Sequence, residues 1–155
     1  MDTQTRERIL AEAMTWKRTP FHHKGRKKGI GVDCGGFIYE VYKHVLGIPH
    51  EPFPAHYAED WALHQNDNEI YLAFLKPYVR QVNKPQPGDV IMFKMGRAFS
   101  HGTLYIGNNN VIHAYGKTEQ GCVMISPLTS FNVGMSGKVR ERKIFTVDDR
   151  WLSQH

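Results

Sequence analysis

GIGVDCGGFIYEVYKHVLG, residues 29–47, is the stretch on which the reading of this chain turns. From Cys34 onward, Phe37, Ile38, Val41, Tyr42, Val45 and Leu46 recur at the spacing of one helical face, and Gly47 with Pro49 supplies the stop. Cys34 therefore falls where the helix begins, with Asp33 before it and Gly35 and Gly36 after it. The unpaired N–H groups of a first helical turn stabilise a thiolate. The glycines would let a substrate carbonyl approach the backbone, and the N–H of Cys34 could donate to a developing oxyanion. A buried structural cysteine would tolerate the same position, so the stretch alone leaves filler, disulfide partner, metal ligand and nucleophile open. Asp33, beside a helix start, reads equally well as a cap.

Working outward, residues 3–16 place Ile9, Leu10, Ala13, Met14 and Trp16 among charges, which predicts a helix capped by Thr3 or Thr5 and ended before Pro20. Residues 21–33 read as a glycine-rich basic loop. Residues 55–64 and 67–75 predict two shorter helices, with Asn66-Asp67 starting the second and Pro77 beyond its end. The period then changes. PQPGDVIMFKM (85–95) passes from turn residues into an apolar strand, and SHGTLYIG (100–107) with NVIHAYG (110–116) reads as a hairpin joined by asparagines. CVMISPL (122–128) and KVRERKIFTV (138–147) predict two more strands. Helices first and antiparallel strands after give an α+β domain, a helix layer on a small, strongly bent sheet. No repeat, low-complexity tract or linker divides the 155 residues, so one domain is expected.

Composition narrows the function. Hydrophobic residues at 41% and charged residues at 23% are ordinary globular usage and exclude extensive disorder. Two cysteines, Cys34 and Cys122, are too few for a disulfide framework, although one bridge is possible. MDTQTRERILAEAM lacks the apolar centre of a secretion signal, and no run approaches the roughly 20 apolar residues of a membrane span. The expectation is a chain made in the cytoplasm without a signal peptide or a membrane span. Its net charge of +5 favours anionic partners, among them nucleic acid and the peptide carboxylates of a bacterial wall. HHKGRKKG (22–29) reads first as a solvated loop. No basic–aromatic stripe supports nucleic-acid binding.

A cysteine nucleophile needs a base, and the base needs an orienter. Of nine histidines, His101 and His113 lie on the predicted hairpin. Alternation divides it into an apolar set (Gly102, Leu104, Ile106, Ile112, Ala114) and an opposite set (His101, Thr103, Tyr105, Val111, His113, Tyr115). The sets coincide only if odd residues pair with odd residues. Pairing Ile106 with Asn110 through a three-residue loop, Gly107-Asn108-Asn109, achieves this. His113 then lies opposite Thr103 and diagonal to His101, about 7–8 Å away between backbones. A two-residue Asn108-Asn109 loop would put the histidines on opposite faces.

With these residues in hand, the chain resembles the NlpC/P60 superfamily of papain-like cysteine peptidases, in particular the short form encoded among phage tail genes. TPFHHKG with GVDCGGFIYEVY resembles the nucleophile segment. QPGDVIMF, SHGTLYIG and VIHAY resemble the three strands that follow, in family order across residues 16–115. The resemblance implies a papain-like fold and a catalytic triad of Cys34, His101 and His113. Cys34 would attack, His101 would take and return the proton, and His113 would orient His101. It also implies a peptidoglycan stem peptide as substrate, no cofactor, and action at the cell wall, possible partners being phage tail proteins. Asp33 matches an aspartate that binds the substrate amine in relatives, and Gly35, Phe21 and His23 are expected along the substrate cleft. The family often has serine where Gly35 stands and tyrosine where Phe21 stands.

Other readings compete. A related amidase or acyl transferase would use the same triad on another amide. A structural tail protein would carry a vestigial site. Cys34, His101 and His113 are zinc-ligand types but lack a CxxC or HxxxH pair, so no metal site is expected there. His56, Asp60 and His64 share one face of a predicted helix, which reads as a wet surface before a metal site. Cys122 reads as a buried strand residue.

Overall fold

A computed structural model describes residues 1–49, 75–116, 119–134 and 137–154. The helices expected over 55–64 and 67–75, and with them His56, Asp60 and His64, lie outside the described residues but for Leu75. Helix α1 spans Thr3–Met14, and its cap is Asp2, whose Oδ1 accepts the Thr5 N–H at 2.7 Å. The expected Thr3 and Thr5 caps are thus replaced. The short carboxylate one position upstream reaches the third N–H of the first turn, so both threonines become helical.

The basic loop contains a small hairpin, β1 (Arg26–Lys27) against β2 (Gly31–Val32), which feeds directly into α2 (Cys34–Leu46). Gly47 closes α2 with φ +67°, a left-handed conformation that glycine adopts without a Cβ penalty. Six antiparallel strands follow: β3 (Val79–Val82), β4 (Val90–Met95), β5 (Ala98–Gly107), β6 (Asn110–Tyr115), β7 (Cys122–Pro127) and β8 (Arg142–Val147). Their order in the sheet is β3-β8-β4-β5-β6-β7. A short helix α3 (Asp149–Leu152) follows β8. The result is an α+β architecture with helices packed on a bent antiparallel sheet.

The two faces of the sheet bury different things. On one, Ile9, Ala13 and Trp16 with Phe37, Ile38, Val41 and Tyr42 pack against Val90, Met92, Leu104, Ile112, Ala114 and Val123. On the other, Ile91, Phe93, Val111 and Ile144 meet Leu128 and Phe131 of a 3₁₀ turn. Polar bonds lock the helices to the start of β4. Buried Asp89 takes a 2.7 Å ion pair from Arg6 and the Gln86 N–H at 2.8 Å, while the Tyr42 hydroxyl donates to the Gly88 carbonyl at 2.7 Å.

Two β-bulges bend β5. Phe93 pairs with His101 and Lys94 with Phe99, so Ser100 has no partner in the register. Between Tyr105↔Val111 and Gly107↔Asn110, Ile106 is the extra residue. The hairpin loop is therefore the two-residue Asn108-Asn109, with φ of 52° and 56°, and not the expected three-residue loop. Such a pair of left-handed residues matches the twist of the strands. Bulged Ile106 shifts the alternation by one, so odd residues still face odd residues. The histidines stay on one face by a different route.

Candidate active site

Asp33 sets the geometry of the segment around Cys34. It is 4% exposed; Oδ1 accepts the Gly36 N–H at 2.7 Å as the cap of α2, and Oδ2 accepts the Lys24 N–H at 2.9 Å. One carboxylate thus starts the helix and clamps the basic loop beside it. Gly36 is required by this closeness, because a Cβ there would stand 2.7 Å from the Gly25 carbonyl oxygen and 3.0 Å from Asp33 Oδ1.

Cys34 follows, its sulfur enclosed although the residue keeps some surface. The thiol donates to the Ser100 carbonyl at 3.4 Å, at the bulge of β5. Burial pushes the thiol up to about 12, and the charge of Asp33 adds to this; the backbone N–H groups of Gly102, Gly35 and Cys34 itself pull the other way. The sulfur thus touches the chain on either side of His101. Cys34 and Cys122 are both in the thiol form, with no disulfide between them.

His101 is 8% exposed and His113 wholly buried. His101 Nε2 lies 2.9 Å from His113 Nδ1, with ring centroids 5.0 Å apart and nearly perpendicular. His113 Nε2 in turn lies 2.9 Å from Ser126 Oγ. Phe131 meets both rings, with centroids 5.4 Å from His101 and 5.0 Å from His113, and Tyr115 meets both as well, at 5.7 and 5.4 Å. This casing explains why burial holds His113 down to about 4: the ring is neutral at pH 7. A neutral imidazole bears one hydrogen, so one of its nitrogens donates and the other accepts. When His113 Nδ1 accepts from His101 Nε2–H, the hydrogen of neutral His101 is on Nε2 and its Nδ1 carries a lone pair, and His113 Nε2–H donates to Ser126.

The remaining sequence-predicted residues divide. Gly35 is buried in the first turn of α2, and its N–H faces the sulfur. Phe21 lies over Gly116, where an added Cβ would come within 2.6 Å of the ring, at the end of the strand that carries His113. His23 sits one residue before clamped Lys24. Because Nε2 of His101 and Nδ1 of His113 face each other, these two nitrogens do not converge on a shared metal, and among the described residues no group of three His, Cys, Asp or Glu does so. Ser100, Gly102 and Ser126 escaped the sequence reading. Ser126 carries a readable signal only once strand register is known, since His113 pairs with Met124 and Ser126 is the diagonal neighbour on the same face.

Comparison with known proteins agrees with this architecture. The chain is 24% identical over 125 residues to the murein DD-endopeptidase MepS/murein LD-carboxypeptidase of Escherichia coli K12, an alignment covering 81% of the chain and 56% of that relative. The chain thus spans just over half the length of the relative it matches. The NlpC/p60 domain of the peptidoglycan hydrolase SagA shares the fold with a TM-score of 0.57 at 19% identity, covering 90% of this chain and 97% of that one. RipD of Mycobacterium tuberculosis, described as a non-catalytic NlpC/p60 domain protein adapted to peptidoglycan binding, superposes with a TM-score of 0.55 at 18% identity, covering 94% and 98%. Residues 18–133, from just before Phe21 to just beyond Phe131, match the NlpC/P60 family, and the chain belongs to it.

Proposed function

We propose that this chain is a cysteine peptidase that hydrolyses amide bonds in the stem peptides of peptidoglycan, with Cys34 as nucleophile, His101 as general base and acid, and His113 as the group that orients His101. The observation that carries the reading is the 2.9 Å bond between His101 Nε2 and His113 Nδ1, on a strand whose residues 100 and 102 meet the Cys34 sulfur. His101 Nδ1 takes the thiol proton, and the sulfur attacks the amide carbon. The oxygen of the tetrahedral intermediate accepts from backbone N–H groups at the start of α2. Its collapse breaks the C–N bond, His101 protonates the leaving amine, and a thioester on Cys34 remains. Water, deprotonated by His101, then releases the acid and restores the thiol.

Likeness to a murein endopeptidase and a peptidoglycan hydrolase supports the substrate class. The resemblance of the sequence to the short form encoded among phage tail genes extends the proposal to an enzyme that would act at the wall from a virion. Asp33, Phe21, Gly35 and His23 are proposed to flank the peptide, Asp33 also serving as the helix cap.

Incubation with defined muropeptides, followed by mass spectrometry of new amines, tests the proposal with Cys34→Ala as control. Cleavage that the variant loses supports it and names the bond. A second reading, a domain that binds wall peptide without cutting it, draws on the enclosed thiol and on the likeness to RipD. Retained muropeptide binding with no cleavage, and no alkylation of Cys34 by iodoacetamide near neutral pH, would favour that reading.

A further inference from the structure

The three strands β5, β6 and β7 carry a line of side chains that runs past the triad. His101 is diagonal to His113 across one strand boundary, and His113 is diagonal to Ser126 across the next. Both steps close at 2.9 Å. His113 is wholly buried, and its two ring nitrogens are engaged by His101 and Ser126. Ser126, by contrast, is only partly buried on the edge strand of the sheet.

We propose that Ser126 is a positioning residue that holds His113 in its Nε2–H form and so keeps Nδ1 open to His101. The proposal takes its purpose from the peptidase reading above. Two proton arrangements fit the heavy-atom positions of the chain. In the first, His101 Nε2–H donates to His113, His113 Nε2–H donates to Ser126, and His101 Nδ1 is bare. In the second, every donor is reversed: Ser126 donates to His113, His113 donates to His101, and a neutral His101 carries its hydrogen on Nδ1. Only the first lets His101 accept a proton from Cys34.

Forming the imidazolium at His101 makes the choice stricter. Both nitrogens of His101 then bear hydrogen, so His113 Nδ1 must accept and its Nε2–H must find an acceptor. The Ser126 oxygen is that acceptor, and its own hydroxyl hydrogen is left for water on the open side of the edge strand. Removing the oxygen strands a buried N–H in the charge-separated state, which raises the cost of that state. The groups that face this line are His101, His113, Tyr115 and Ser126 from the sheet, Cys34 and Asp33 from the α2 segment, and apolar Phe131 from the 3₁₀ turn.

The test needs no substrate. Nitrogen-15 correlation spectra of the wild-type imidazoles are expected to show His113 protonated on Nε2. Ser126→Ala is expected to lose that preference and Ser126→Thr, which keeps the oxygen, to retain it. In parallel, the pH profile of Cys34 alkylation by iodoacetamide is expected to fall about tenfold in rate near neutral pH in Ser126→Ala and to recover in Ser126→Thr. A wild-type His113 protonated on Nδ1 would overturn the proposal, as would a Ser126→Ala variant that keeps both the tautomer and the profile. If these readouts behave as expected while no muropeptide is cleaved, the peptidase reading fails and the role of Ser126 stands.

Discussion

Buried neutral His113 makes the fold sensitive to acid in a calculable way. In the fold its ring is held down to about 4 by burial, whereas an imidazole in the unfolded chain titrates near 6.5. Above the unfolded value the ring is neutral in both states and adds no pH dependence. Between the two values the unfolded chain takes up a proton that the fold refuses, so stability present at neutral pH is lost as pH falls. The gap from 6.5 to about 4 amounts to roughly 3 kcal/mol, of which about 1.4 is lost by about pH 5.5 and about 2.6 by about pH 4.5.

His113→Asn removes this titration. The substitution carries its own constant cost, but that cost cancels when pH slopes are compared, as do the carboxylates and other histidines common to both proteins. Urea denaturation of wild type and variant at neutral pH and at about pH 5.5 and 4.5 reads the difference directly. With an m-value of about 2 kcal/mol per M, the wild-type midpoint is expected to drop by about 1 M more than the variant's by the lowest pH. Parallel losses in the two proteins would refute the argument. They would mean that His113 already holds or shares a proton in the fold, so that it cannot serve as a neutral acceptor for His101.

Further tests address the frame around the site. Asp33→Ala removes two backbone bonds from one carboxylate, cap and loop clamp together, and is expected to cost about 2 kcal/mol in thermal or chemical denaturation, most of the cap contribution returning in Asp33→Asn. Asp89→Ala leaves the Arg6 guanidinium, whose side chain is only 14% exposed, without its counter-charge; a loss of about 3–5 kcal/mol is expected, and Arg6→Ala with Asp89→Ala should cost less than the sum of the two. Gly36→Ala drives a methyl into the Gly25 carbonyl, so a loss of about 1–3 kcal/mol is expected, together with altered Cys34 alkylation as the loop moves off the helix start.

What the sequence revealed and what it hid follow from where the information lies. α2 was readable because its apolar spacing, its glycine stop and its cap are all local, and the structure returns it as Cys34–Leu46. The cap of α1 falls on Asp2 and on neither Thr3 nor Thr5, because all three are capping types and only the chain's path selects among them. β3 was passed over: Val79–Val82 is four residues long and half exposed, and it exists because β8 pairs with it. The histidine pair was found through correct parity and a wrong loop, since a bulge is a tertiary adjustment that leaves no mark in alternation. Ser126 was invisible because a serine on a strand looks like any outward polar residue until the register with β6 is fixed.

The thiol itself poses the sharpest physical question. At about 12, a lone Cys34 would hold about one part in 10⁵ of thiolate at pH 7, too little for an efficient nucleophile. The start of α2 supplies backbone donors, but burial and the Asp33 charge outweigh them. In the proposed mechanism proton transfer to His101 supplies the thiolate, creating it together with an imidazolium, each stabilising the other in a setting that penalises either alone. Reactivity of Cys34 should therefore depend on His101 almost entirely. His101→Ala is expected to reduce iodoacetamide alkylation near neutral pH by about a hundredfold or more and to move what is left to strongly alkaline pH, with the fold retained by circular dichroism. A variant alkylated as fast as wild type at pH 7 would show that the helix start and the amides of Gly35 and Gly102 stabilise the thiolate unaided. In that case the two histidines would serve the later proton transfer to the leaving amine, and the order of events at the site would have to be redrawn.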